Sequence, residues 1–115
     1  MDYSLMAVAE MPSFVREAER LLTSQERTDL IVHVAAHPKA GDLIQDTGGV
    51  RKMRWGVAGR GKRGGVRVIY YFHSERMPLY LLTLFAKNER SDLTAAERKA
   101  LAVLVKHLVR ANLGD

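Results

Sequence analysis

The sequence predicts an α+β fold in which a small, mainly antiparallel sheet is flanked by helices, in the order β-α-α-β-β-β-α. Three patterns favour this fold. Two capping-box sequences, TSQE and TAAE, begin segments with helical periodicity, a basic segment alternates as a strand does, and the apolar stretch LYLLTLFA has the composition of a buried strand. With 115 residues and 47% hydrophobic content, we expect residues 1–115 to form a single domain.

The first half of the chain contains two predicted helices. An amphipathic pattern over residues 12–22 predicts the first, and the capping box of Thr23 and Glu26 begins the second. The second helix should end near His37, because the residue before Pro38 is disfavoured in helical geometry. The other predictions for this half are a short strand over residues 3–8 and a loop over residues 38–49.

The second half of the chain supplies most of the predicted sheet. Alternation places Lys52 and Arg54 on one face of a strand and Arg51 on the other, and Arg67 follows on the next strand. The predicted elements are strands over residues 50–56, 66–72 and 79–86, a glycine-rich hairpin loop over 56–65, and a closing helix that begins at Thr94.

The positive charge of the chain is concentrated between residues 48 and 72, which hold seven of the 18 basic residues and no acid. The remainder has 11 basic and 13 acidic residues, a balance of −2 against +5 for the whole chain. A local basic field of this kind indicates a phosphate polymer as partner. The absence of cysteine excludes disulfides and fits a cytoplasmic protein, and no apolar run is long enough to predict a membrane span.

Three cations on the predicted sheet, Lys52, Arg54 and Arg67, are candidate catalytic residues. If the hairpin register brings them to one face, they form a rigid cluster that can clamp a phosphate, and the planar fork of arginine suits this role. No acid lies near them in the sequence, so the cluster would repel itself until a phosphate binds. The alternative interpretation is a solvated outer face of the sheet, because basic residues are common on exposed strands.

Several further charged residues are candidates. Lys87, the fourth candidate catalytic residue, directly follows a buried strand, where functional groups often lie, although an ordinary polar strand end explains it equally well. Glu89 is an available carboxylate that we expect in solvent or paired with Arg90. The glycine-rich loop lacks the GK[ST] ending of a nucleotide-binding loop, so its cations are expected to contact a phosphate backbone. The predicted RNA-binding residues are Arg51, Arg60, Lys62 and Arg63.

The sequence gives little support to a metal site. His33 and His37 are four residues apart on a predicted helix, as paired metal ligands are, but no HExxH sequence accompanies them. We therefore predict neither a metal nor another cofactor. The aromatic residues Trp55, Tyr70 and Tyr71 are predicted to occupy core or half-buried positions, with a base-stacking surface as the less favoured alternative.

Three segments, GDLIQDTGGVRKMRW, GKRGGVRVIYYF and LYLLTLFAKNERSDLT, are followed by a short terminal helix. In order and spacing they resemble the RelE superfamily of toxins, and its HigB-like branch in particular. The resemblance covers residues 41–110 well, and it extends to the N-terminal strand and helices in their order only. It implies a small sheet flanked by helices, in agreement with the order given above.

The resemblance also implies an activity. Toxins of this kind are cytoplasmic ribonucleases of type II toxin–antitoxin modules, which enter the ribosomal A site and cut the bound mRNA. A cognate antitoxin, commonly a helix-turn-helix protein of the HigA-like kind, would neutralise the toxin. The implied chemistry is metal-independent attack of a ribose 2′-hydroxyl on the adjacent phosphate, with cations stabilising the transition state.

The resemblance assigns roles by position. Lys52 and Arg54 match the family's basic pair on the second strand, and Arg67 matches the arginine that opens the third. Relatives tend to carry a further arginine and a tyrosine after the last strand, and by spacing these fall at Asn88 and Thr94 here. The general base is therefore not identified, and weak or ribosome-dependent activity is expected.

Two functions remain open from the sequence. The first is the ribosome-dependent mRNA endonuclease, with Lys87 as the basic residue nearest to the position where the further arginine is missing. The second is a basic RNA- or DNA-binding module without catalysis, which the same charge and the missing tyrosine also favour.

Overall fold

The computed structural model describes residues 5–57 and 65–114. The described part contains a five-stranded sheet of order β1-β5-β4-β3-β2, in which β1 and β5 are parallel and the other neighbours antiparallel. The predicted α+β class with a mainly antiparallel sheet is confirmed. The elements are β1 (Val8–Glu10), α1 (Pro12–Leu21), α2 (Ser24–Ala36), β2 (Asp42–Leu43), β3 (Val50–Trp55), β4 (Val66–Tyr71), β5 (Leu79–Ala86) and α3 (Ala95–Leu113).

The helices begin where the sequence indicates. Both capping boxes form: the Thr23 hydroxyl accepts from the backbone N–H of Glu26 at 3.1 Å, and the Thr94 hydroxyl accepts from that of Glu97 at 3.1 Å. The second helix ends at Ala36, with His37 as its C-cap, as the following proline predicts. Within the described ranges, no helix is long and apolar enough to cross a membrane.

Two strands differ from the prediction. The strand expected over residues 3–8 is wrong in position, because β1 pairs with β5 from Val8 to Glu10 and residues 1–4 lie outside the described ranges. The loop expected over residues 38–49 contains the two-residue strand β2, in which Asp42 pairs with Lys52. A two-residue strand shows no periodicity, so only pairing with β3 in the folded chain defines it.

The sheet separates two apolar clusters, as strand alternation requires. One face packs against α1 and α2, through residues such as Met53, Val68 and Tyr70 of the sheet and Phe14 of α1. The other face packs against α3. This second cluster contains Val50, Ile69, Tyr71, Phe85, Leu93 and Val105. We call this second face the α3 face, after the helix that packs against it. The candidate cations also lie on this face.

Candidate functional site

The strand register brings the three candidate cations to the α3 face. Arg54 and Arg67 are directly opposite each other across β3 and β4, and Lys52 is opposite Ile69, whose side chain belongs to the α3-face cluster. Opposed residues of an antiparallel pair have Cβ atoms about 4.5–5.5 Å apart, so the two arginines are neighbours. The common face is therefore a structural finding, while the catalytic role of these residues stays a prediction.

The charges of the three cations are compensated unequally. Arg54 is exposed and Arg67 is half-buried, and neither side chain forms an ion pair or hydrogen bond with any residue in the described ranges. The Lys52 ammonium, in contrast, lies 3.6 Å from the Asp92 carboxylate. No acid is near Lys52 in the sequence, but the fold brings Asp92 to it. The two arginines, in contrast, form a cationic pair that no acid among the described residues compensates.

Arg90 extends this cationic surface across the sheet, and the sequence did not identify it. Its guanidinium lies over the Phe85 ring, 5.0 Å from the centroid, and Phe85 is directly opposite Arg67 on the neighbouring strand. Arg90 also donates to the Asp92 carbonyl at 2.9 Å and to the Glu97 carboxylate at 3.0 Å. The hydrogen bond to Glu97 raises the pKa of Arg90. Arg54, Arg67 and Arg90 thus belong to one surface.

The position of Arg90 could not be obtained from sequence spacing. It lies in the polar link between β5 and α3, which has neither helical nor strand periodicity. The only signal is the capping box, because Glu97 is fixed at the start of α3 and can receive a cation from the link. That signal would still not have placed the guanidinium over Phe85.

Two other candidates in the link between β5 and α3, Lys87 and Glu89, make contacts different from those of Arg90. The exposed residue Lys87 donates its backbone N–H to the Gly65 carbonyl at 3.2 Å, which places it where the β4–β5 pairing reaches the glycine-rich segment. Glu89 accepts two hydrogen bonds from Arg20, each of 2.9 Å. Glu89 is exposed, as one of the two expectations for it had it, and α1 brings Arg20 to it, whereas Arg90 turns toward Glu97 at the start of α3.

Arg51 faces away from the three cations, as alternation predicts, and its guanidinium is engaged by backbone. It donates to the Gly41 carbonyl at 2.7 Å, while its Nε is buried without a hydrogen-bond partner in the described ranges. The Tyr70 hydroxyl accepts from the Gly41 N–H at 2.7 Å and donates to the Pro38 carbonyl at 2.9 Å. Arg51 and Tyr70 together hold the loop between α2 and β2, a structural role that the predicted RNA contact of Arg51 did not anticipate.

The remaining predicted RNA-binding residues, Arg60, Lys62 and Arg63, lie outside the described residues. Their contact with a phosphate backbone stays a prediction from the sequence. The described residues that flank this segment are Val57, which follows β3, and Gly65, which precedes β4. Both lie near the strand ends that carry the Arg54–Arg67 pair.

Carboxylates near the cations are poor proton acceptors. The hydrogen bond from Arg90, together with one from the backbone of Thr94, lowers the pKa of Glu97 to about 2. The backbone N–H of Leu93, and then the charge of Lys52, lower the pKa of Asp92. Neither group readily accepts a proton near neutral pH. The side chains of this surface are therefore better suited to stabilising negative charge on a substrate than to removing a proton from it.

No metal site accompanies these groups. In residues 5–57 and 65–114, no three His, Asp or Glu side chains converge as ligands would. His33 and His37 lie together at the end of α2, with ring centroids 5.1 Å apart, on the opposite side of the sheet from the α3 face. His73 is bonded instead to Tyr71, its Nδ1 lying 3.0 Å from the Tyr71 hydroxyl.

Comparison with known proteins shows which protein family the chain matches. Residues 10–114 match the family model described as the RelE toxin of the RelE/RelB toxin–antitoxin system. Among solved structures, the chain is similar to an arginine double mutant of the E. coli toxin RelE in the free state, with a TM-score of 0.55 and 18% sequence identity. The match covers 88% of this chain and 97% of that chain, and at this identity it shows a shared fold.

Proposed function

Because the chain belongs to the RelE toxin family, we propose that it is a ribosome-dependent mRNA endonuclease that cleaves mRNA in the ribosomal A site and so inhibits translation. The proposal includes the HigB-like branch, a cytoplasmic location and a helix-turn-helix antitoxin of the HigA-like kind as partner. The single observation that carries it is the opposed, uncompensated pair of Arg54 and Arg67 on the α3 face.

The proposed reaction depends on stabilisation of negative charge in the transition state rather than on a cofactor. A ribose 2′-hydroxyl loses its proton to water and attacks the adjacent phosphorus, the bond from phosphorus to the 5′-oxygen of the next nucleotide breaks, that oxygen takes up a proton, and a 2′,3′-cyclic phosphate forms. Negative charge on the phosphoryl oxygens grows in the transition state, and fixed cations aimed at those oxygens lower the barrier. Arg54 and Arg67 are suited to this, because their forks lie on neighbouring strands of a rigid sheet.

Lys52 and Arg90 have supporting roles in this proposal. The ammonium of Lys52 exchanges the Asp92 carboxylate, 3.6 Å away, for a phosphate oxygen, or it donates a proton to the departing 5′-oxygen. Arg90 presents a third guanidinium beside the pair, anchored over Phe85 and by Glu97. Lys87, exposed at the same end of the sheet, is the fourth catalytic cation of the proposal and stands in for the arginine that relatives carry after the last strand.

The ribosome is needed because these side chains supply no evident general base. Asp92 and Glu97 both have lowered pKa values, as described above. We propose that the ribosome aligns the 2′-hydroxyl with the phosphate, so that in-line geometry supplies much of the acceleration. Activity on free RNA should accordingly be far weaker than activity on mRNA in a translating extract.

The test is cleavage of a defined mRNA in a translating bacterial extract. The wild type should cut within the reading frame at the A-site codon, whereas Arg67→Ala should lose about a hundredfold or more in rate, the usual cost of removing one charge-stabilising donor. Arg16→Ala is the matched control, because Arg16 lies on α1 with a side chain 70% exposed. An uncut mRNA with the wild type, or full activity in Arg67→Ala, would refute the proposal.

The second candidate is a non-catalytic nucleic-acid-binding module, and the lowered pKa values of Asp92 and Glu97 favour it. It predicts RNA binding that weakens with salt and leaves the RNA intact in translating extract. The two candidates are separated by mapping 5′ ends of the mRNA after incubation, since only the endonuclease generates new ends that depend on translation.

A further inference from the structure

We propose that Trp55, His33 and His37, which we call the aromatic row, form a second RNA-contact site that stacks a nucleobase of the same RNA strand whose phosphate the arginine pair holds. This inference rests on the proposed function and adds to it a base-binding element on the opposite side of the sheet. The partner chemistry is single-stranded RNA, whose unstacked bases bind to aromatic side chains, histidine included.

The aromatic row is continuous and becomes more exposed along its length. The ring centroids of Trp55 and His33 are 5.2 Å apart, and those of His33 and His37 are 5.1 Å apart. Trp55 and His33 are half-buried, whereas His37 is exposed at the C-cap of α2. The inner rings therefore hold the outer one in place, and the outer ring has a free surface to offer to a base.

A groove lies beside the outer end of the row. It has a volume of about 490 Å³ and is lined by His33, His37, Pro38, Lys39 and Ala40. The lining is mostly apolar ring and methyl surface, with one exposed ammonium from Lys39. A flat apolar face with a cation at its edge suits a nucleobase with its attached phosphate.

The row is connected to the proposed cleavage site through β3. Arg54 and Trp55 are consecutive residues, so alternation sends their side chains to opposite faces of the sheet, about 3.4 Å apart along the strand. The short strand β2 pairs only with Arg51 and Lys52, which leaves the outer edge of residues 53–55 without a strand partner in the described part of the chain. An RNA strand can therefore pass over this edge from the arginine pair to the row.

Other uses of the row are less well supported. A metal bound by His33 and His37 would lack further protein ligands, because no third His, Asp or Glu converges there in the described ranges. A purely structural role accounts for Trp55, which packs against the core, but not for an exposed imidazole beside an open groove. The position of the groove at the edge of a basic sheet favours RNA.

The test measures binding of two fluorescently labelled hexamers by anisotropy at low salt, without ribosomes. One is a 2′-O-methyl adenine hexamer, which cannot be cleaved by its own 2′-hydroxyls, and the other is an abasic hexamer with the same number of phosphates. Stacking predicts that the wild type prefers the hexamer with bases. His37→Leu should weaken binding of that hexamer about fivefold to a hundredfold and leave binding of the abasic hexamer unchanged.

The control is His107→Leu, which removes an exposed histidine from α3 on the other side of the sheet and should change neither affinity. Because His37 is exposed, the substitution should not prevent folding; Trp55→Leu, checked by circular dichroism, provides a second variant with the same expected loss. Equal affinity of the wild type for both hexamers, or unchanged binding by His37→Leu, would overturn the inference. Either result would leave A-site cleavage by the wild type intact, so the two proposals can fail separately.

Discussion

At the scale of single residues, the opposed pair of Arg54 and Arg67 places two like charges where an antiparallel sheet brings side chains closest. Such a pair is destabilising by roughly 0.2–1 kcal/mol. No acid in the described ranges relieves it, although acids elsewhere on the surface pair readily, as Glu10 does with Arg27 at 2.8 Å. The fold therefore gives up some stability to keep two guanidinium groups available.

This cost leads to a prediction for Arg67→Gln. The variant should be more stable than the wild type by up to about 1 kcal/mol at low salt, since it removes the repulsion but keeps the side-chain stem out to Cδ and a polar end group. The gain should shrink at 0.5 M salt, because ions screen the wild-type repulsion. Urea unfolding at both salt concentrations measures it, with Arg16→Gln as control. A variant less stable than the wild type at low salt would contradict the prediction.

At the scale of elements, the helices and the three long strands were predictable because each carries its own periodicity or cap. The capping boxes at Thr23 and Thr94 are local patterns, and they form as the sequence indicates. Strands β1 and β2 are defined instead by their partners, since β1 gains its position from parallel pairing with β5 and β2 from pairing with β3. No local pattern could have given those positions.

The loop between α2 and β2 is fixed by a close approach that only glycine permits. A Cβ at Gly41 would lie 2.8 Å from Tyr70 Cε1 and 2.9 Å from the Lys52 carbonyl oxygen, closer than such atoms can come. The same glycine accepts a hydrogen bond from Arg51 and donates one to Tyr70. The loop that carries Lys39, and the groove beside the aromatic row, therefore depend on this contact.

We accordingly predict that Gly41→Ala destabilises the fold by about 1–3 kcal/mol, the usual cost of forcing an extra carbon into a packed site. Gly56→Ala is the matched control, because a Cβ at Gly56 meets nothing within 4 Å in the described structure. Thermal and urea unfolding of the two variants measure the difference. If Gly41→Ala were as stable as Gly56→Ala, the loop would not be held as described.

At the scale of the whole molecule, the site divides into a predictable and an unpredictable part. Strand alternation and one hairpin were enough to bring Lys52, Arg54 and Arg67 to a common face. The pairing of Asp92 with Lys52 and the position of Arg90 over Phe85 were not predictable, because the link between β5 and α3 takes its path from tertiary contacts. Sequence reasoning therefore found the cations but not what restrains them.

The restraint of Lys52 by Asp92 leads to a prediction about RNA affinity as a function of salt. For single strands, the logarithm of the binding constant falls against the logarithm of the salt concentration with a slope of about −0.7 for each phosphate neutralised. Asp92→Asn should release the Lys52 ammonium, now 3.6 Å from a carboxylate, and make the slope steeper by up to about 0.7. Arg67→Gln should make the slope shallower by a similar amount.

Glu19→Gln is the control for the change in net charge, because Glu19 is exposed on α1, across the sheet from the α3 face. The measurement is anisotropy of an uncleavable hexamer from 50 to 300 mM salt. Equal slopes for Asp92→Asn and Glu19→Gln would mean that Asp92 acts only through the net charge of the protein. A steeper slope for Asp92→Asn alone would show that the Lys52–Asp92 pair sets how many phosphates this surface holds, because only a new local contact releases additional counterions.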